Sequence, residues 1–189
     1  MSNFAAVLDA NVLYSYPLTC VLLELAELRL YRPIWSVDIQ EEWLRAARRN
    51  RPDIAPERLE RRRAAMDEAL PDACVGGYRS LIAGLELPDP NDRHVLAAAI
   101  RGRAQVIVTF NEKHFPVAML AEYDISTQHP DTFLRHLIDL APSAVRACMA
   151  EMVGRLKNPP MTVEEHISLL ERHSLNESAA ALRELFSAN

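Results

Sequence analysis

The chain has 189 residues, 49% of them hydrophobic and 25% charged, with a net charge of −5. This suits one domain with a sizeable core and excludes a surface coated in positive charge, so any nucleic-acid binding must use a local patch. The three cysteines, Cys20, Cys74 and Cys148, are far apart and odd in number; they exclude a disulfide framework and a cysteine zinc site and favour a reducing compartment.

Residues 4–8 are a short, continuous apolar run that predicts a buried parallel strand delivering Asp9 and Asn11 at its end. No Lys or Arg precedes Arg29, and the uncharged run from Ala10 to Leu23 is too short to span a bilayer. The expectation is a soluble, cytoplasmic protein. Residues 18–30 predict a helix, and Tyr31 to Trp35 a second strand. Ser36 is a natural N-cap, and Ile39, Trp43, Ala46 and Ala47 give the next helix an apolar face. Glu41 and Glu42 ride on that helix about 100° apart, so only one of them can face a given pocket.

Arg45 to Arg63 holds eight arginines, including Arg45, Arg48 and Arg49. As a solvated face the run can pair with Glu57, Glu60, Asp67 and Glu68; beside an acidic pocket it can hold RNA phosphates. Pro56 opens a helix that ends before Pro71, and Tyr78 to Leu85 reads as one more short helix. Pro88 to Asp92 then forms a turn running into an alanine-rich helix, Val95 to Ile100, with Gly102 as its stop. Asp89 is a natural N-cap and Asp92 the third-position acid that reaches back to it; both suit the positive end of the helix dipole.

Val106 to Phe110 predicts a strand ending in Thr109, Asn111 and His114. Val117 to Tyr123 reads as a short helix and Asp124 to Ser126 as a short strand. Helices follow from Pro130 and from Ala144 to Leu156. Capping boxes at Thr162–Glu165 and Ser174–Glu177 open two more, which suggests a helical hairpin.

Asp9, Glu42, Asp89 and Asp92, held by separate elements, would repel each other in one pocket. Such a set persists if some acids are protonated or a cation sits among them, and oxygen ligands favour Mg²⁺ or Mn²⁺. None of the six histidines pairs with another at i+3 or i+4, so a histidine metal site has no support. An amide at Asn11 argues against phosphoryl transfer through Asp9, which usually wants a second carboxylate there.

The ordered pattern LDANVL, IWSVDIQEEW, DPNDRHVLAAAI and VIVTFNEKHFP resembles the PIN domain, in particular the bacterial VapC-like toxins, over residues 4–140. The resemblance implies an α/β/α sandwich with a central parallel sheet, here followed by C-terminal helices. The division expected is a PIN-like nuclease domain over 1–140 and a helical extension over 141–189, serving partner or dimer contact.

The activity implied is Mg²⁺- or Mn²⁺-dependent hydrolysis of RNA by the toxin of a toxin–antitoxin pair. Asp9, Glu42 and Asp92 would be catalytic. Asp9 and Asp92 would hold the metal, with Asp89 and Glu42 beside them. Asn11, Thr109 and Asn111 would position water or phosphate, and Arg45, Arg48 and Arg49 would meet RNA or the antitoxin. The implied partners are RNA, a cognate antitoxin and, as a family expectation, a second copy. The chain departs from the family at Asn111 and His114, where relatives often carry acids. Those departures motivate the alternative of a non-catalytic PIN-fold module that binds RNA or protein.

Overall fold

A computed structural model describes residues 4–157 and 159–187. Four short strands form one parallel sheet in the order β2-β1-β3-β4: β1 (Ala5–Leu8), β2 (Arg32–Ile34), β3 (Val106–Val108) and β4 (Ser126–Gln128). All four residues of β1 are fully buried, as a central strand covered on both faces must be.

Between β1 and β2 run α1 (Ala10–Tyr14) and α2 (Tyr16–Glu27). Between β2 and β3 run α3 (Val37–Asn50), α4 (Pro56–Ala69) and α5 (Arg93–Gly102). The chain leaves β1 toward one edge and returns to place β3 on its other side. Right-handed crossovers in opposite directions put α2 and α5 on opposite faces of the sheet. The crevice where the strand order reverses opens at the C-terminal ends of β1 and β3, the standard ligand position in such sheets.

The remaining helices are α6 (Val117–Leu120), α7 (Pro130–Leu140), α8 (Pro142–Arg155), α9 (Val163–Arg172) and α10 (Asn176–Ser187). Phe133 of α7 lies edge-on to Tyr31, with ring centroids 5.1 Å apart, and stacks with Phe4. The C-terminal helices lean on α2: the His166 ring reaches the Pro17 carbonyl at 3.2 Å, and Arg155 pairs with Glu24. Among the described residues no helix is long and apolar enough to cross a membrane.

Several expectations change in detail. The first helical segment begins at Ala10, because the Asp9 side chain accepts the Ala10 N–H and caps α1. The helix expected over 18–30 instead covers Tyr16–Glu27. Ser36 does cap α3, accepting from the Ile39 N–H at 3.2 Å. Gly102 is not the left-handed stop of α5; Arg103 takes that conformation, with φ of 53°. Gly102 is required by packing instead, since a Cβ there would sit 2.6 Å from Ile34 Cδ1.

The last strand lies two residues later than expected, because Asp124 closes the preceding turn with φ of 54° and cannot be extended. Tyr78–Leu85 forms a 3-10 turn over Arg79–Gly84. The Thr162–Glu165 capping box is present with both of its hydrogen bonds. The one at Ser174 is not: Ser174 has φ of 64°, and Asp131 of α7 accepts the Glu177 and Ser178 N–H groups at 2.9 and 2.8 Å. A buried carboxylate from another helix thus caps α10.

Candidate active site

Asp9 is 4% exposed at the end of β1, and its environment is built from three neighbours. Its Oδ1 accepts the Ala10 N–H at 2.7 Å; its Oδ2 accepts from Asn11 Nδ2 at 2.6 Å and from the Thr109 hydroxyl at 2.7 Å. Asn11 also donates to Thr109 Oγ1 at 3.0 Å and accepts the Phe110 N–H at 3.2 Å. The Asn111 N–H donates to Thr109 Oγ1 at 3.0 Å. The ends of β1 and β3 are therefore laced together around a single carboxylate. A carboxylate offers about four acceptor positions, so three donors leave room for one further contact.

That carboxylate is poorly solvated. Burial, with the nearby negative charges of Glu42 and Asp92, raises the Asp9 pKa to about 6 against the opposing hydrogen bonds from Thr109 and Ala10. The three acids come from separate elements: β1 supplies Asp9, α3 supplies Glu42, and the entry to α5 supplies Asp92, and the charges of the last two reach Asp9. Of the two adjacent glutamates, Glu42 turns inward and Glu41 is exposed.

Asp89 caps the turn before α5, its Oδ1 accepting the Asn91 N–H at 2.9 Å. Asp92 does not reach back to complete a capping box. Its Oδ2 lies 2.7 Å from Nδ1 of His114 instead. Burial raises the Asp92 pKa, the contact with His114 opposes this, and Asp89 and Glu42 add to it.

Ligand atoms of Asp89, Asp92 and His114 all lie within 4.8 Å of one another. This spacing fits a divalent cation, which would offset the repulsion among the acids; Asp9 and Glu42 are not part of that close group.

Two histidines in the site carry weak sequence signals. His114 departs from the family's acids at a position after β3, and tertiary folding brings it onto Asp92. His94 of α5 reads as a packed histidine, but its Nε2 lies 3.2 Å from Glu42 Oε2. Its position two residues after Asp92, in the first turn of α5, is the only hint in the sequence.

The arginine run divides into different roles. Arg62 is drawn into the fold: its guanidinium stacks on Trp43 and Tyr16, 4.6 and 5.1 Å from the ring centroids, and donates to the Leu13 carbonyl. Arg51 pairs with Asp53 at 2.7 Å. Arg48 pairs with Glu60, and Arg49 donates to Asn50 Oδ1 at 3.4 Å. Arg45 is exposed and has no ion pair among the described residues. Arg45, Arg48 and Arg63 line a shallow groove with Glu41 and Glu60.

A PIN-domain family model matches residues 5–113, more than half of the chain. The chain belongs to the PIN-domain family. A second model, for the VapC50 C-terminal domain, matches residues 130–184. A curated protein of Mycobacterium tuberculosis (strain ATCC 25618 / H37Rv), "Putative ribonuclease VapC50", is 43% identical over 117 residues, covering 62% of this chain and 68% of that protein. This PIN domain is therefore VapC-like. No solved structure matches the chain.

Proposed function

We propose that this PIN-domain protein is a metal-dependent endoribonuclease that hydrolyses RNA phosphodiester bonds as the toxin of a toxin–antitoxin pair. The observation that carries the reading is Asp9: a buried carboxylate at the sheet's switch point, crowded by Glu42 and Asp92 from two other elements. Burying like charges together costs stability, and a fold retains such a cost most readily at a working site. The relative named as a ribonuclease supports the same activity.

In this reading Asp9 and Asp92 would hold Mg²⁺ or Mn²⁺, with Asp89 and Glu42 beside them. When bound there, such an ion would supply water activation and charge neutralisation at the phosphate. Asn11 and Thr109 act mainly by fixing the Asp9 carboxylate, because their polar atoms are spent on it and on each other. Asn111 fixes the same network through its backbone N–H, which leaves its exposed amide for substrate. Glu42, with its side chain 45% exposed, sits at the rim, where it can accept a proton from the attacking water.

The acids alone repel RNA, so phosphates are held by basic groups on α3. Arg45 is the most available, being exposed and without an ion pair among the described residues, and Arg48 and Arg49 contribute to the same helix or to the antitoxin contact. The working units are the nuclease domain over 1–140 and the helical extension over 141–189, the latter serving a protein partner or a second copy. They are units of function rather than of folding, because Asp131 of α7 caps α10. A reducing, cytoplasmic setting agrees with the three free cysteines.

The test is cleavage of mixed cellular RNA by the purified protein with Mg²⁺ or Mn²⁺, with EDTA, and with Asp92→Asn in parallel. Metal-dependent cleavage that disappears in the variant is expected. A folded wild type that neither cuts RNA nor binds Mn²⁺ by calorimetry overturns the reading in favour of a non-catalytic binding module, the alternative that Asn111 and His114 raise.

A further inference from the structure

We infer that His114 is itself a metal ligand, so that the site is a mixed nitrogen and oxygen site that prefers Mn²⁺ over Mg²⁺. The inference rests on the proposed metal site and goes beyond an all-carboxylate one. His114 arrives from the turn after β3, a different element from the turn that carries Asp89 and Asp92. Its Nδ1 stands 2.7 Å from Asp92 Oδ2. Neighbouring ligands on an octahedral divalent ion stand about 3 Å apart, so a small opening of this contact turns a hydrogen-bonded pair into two ligands of one ion. Asp89 completes the set, since the three ligand atoms already lie within 4.8 Å of one another.

The chemistry of the donor decides the preference. Mg²⁺ is a hard ion that favours oxygen, whereas a neutral imidazole suits first-row transition ions and is tolerated by Mn²⁺. Replacing a carboxylate by an imidazole also removes one negative charge from the pocket. That change reduces electrostatic attraction for both ions while leaving the nitrogen bond as a gain for Mn²⁺ alone. The His114 ring is well held for ligation, because its side chain is only 27% exposed and its Nδ1 already contacts Asp92.

Two measurements on the full chain test the inference. Pulsed EPR of the Mn²⁺-loaded protein reads nitrogen coupling at the metal. Calorimetry reads the Mn²⁺ and Mg²⁺ affinities of wild type, His114→Asp, His114→Ala, His94→Ala and Asp92→Asn. Imidazole nitrogen coupling is expected in wild type and in His94→Ala, and is lost in both His114 variants. His114→Asp, which restores an oxygen donor and keeps the site able to bind, is expected to lower the ratio of Mn²⁺ to Mg²⁺ affinity about tenfold.

Mn²⁺ bound in wild type and lost in Asp92→Asn, but without nitrogen coupling, overturns the inference while the metal site stands. Coupling that survives in His114→Asp overturns it equally. No Mn²⁺ binding by wild type overturns both the inference and the metal reading beneath it.

Discussion

Replacing Asp9 by Asn is expected to stabilise the metal-free protein at neutral pH. Asp9 titrates at about 6 in the folded chain against 3.8 for the unperturbed group. The folded state thus binds the proton more tightly than the unfolded state, so stability falls as pH rises through this window. The stabilising part is fully present below the unfolded value and is gone above the folded one. At about 1.4 kcal/mol per pKa unit, the swing is about 3 kcal/mol.

Asn removes the charge but adds a donor. Neither neighbour is free to accept from it, since Asn11 Nδ2 is itself a donor and Thr109 Oγ1 already accepts from Asn11 and from the Asn111 N–H, a mismatch of about 1 kcal/mol. The variant is therefore expected to be about 2 kcal/mol more stable than wild type at pH 8 and slightly less stable near pH 4. Urea unfolding in EDTA across this range reads the difference. Adding Mn²⁺ at a hundred times its dissociation constant should restore about 2.7 kcal/mol to wild type and little to the variant. A difference that stays flat to within about 0.5 kcal/mol from pH 4 to 8 refutes the reasoning, because it means that Asp9 is neither desolvated nor crowded.

The other predictions concern the frame of the site and its approach. Asp131→Ala is expected to cost about 2 kcal/mol in urea unfolding and to expose α10 to limited proteolysis, and Asp131→Asn to cost less, since one acceptor remains. Gly102→Ala should destabilise by about 1–3 kcal/mol, and adding Ile34→Val, which deletes Cδ1, should recover part of that loss; simple addition of the two effects contradicts the close contact. In a cleavage-dead background, Arg45→Ala should lower the salt dependence of RNA binding by about one phosphate contact. Arg48→Ala should lower it less, because Arg48 is already paired with Glu60; no effect from either variant would place RNA elsewhere.

Much of the site was legible in the chain because its acids sit at places defined by local signals. Asp9 ends an apolar run, Glu42 lies nearly two turns past the Ser36 cap, and Asp89 precedes a proline that opens a turn. Asp9 serves both the fold and the candidate site: it caps α1 and also lies near the other acids. The histidines escaped because their partners are distant in sequence. His94 meets Glu42 across 52 residues and His114 meets Asp92 across 22. No periodicity records such contacts. Asp131 escaped for the same reason, since its N–H partners lie 46 and 47 residues away. Within the arginine run, composition could not separate Arg62, half-buried on Trp43 and Tyr16, from Arg45, which stays in solvent. Only packing makes that distinction.

That acids from separate elements act through one ion is tested most directly by anomalous diffraction from Mn²⁺-soaked crystals. A manganese peak bonded to carboxylates of both Asp9 and Asp92 is expected. Manganese bound without Asp9, or only at acids on the outer surface, would contradict the shared-ion site.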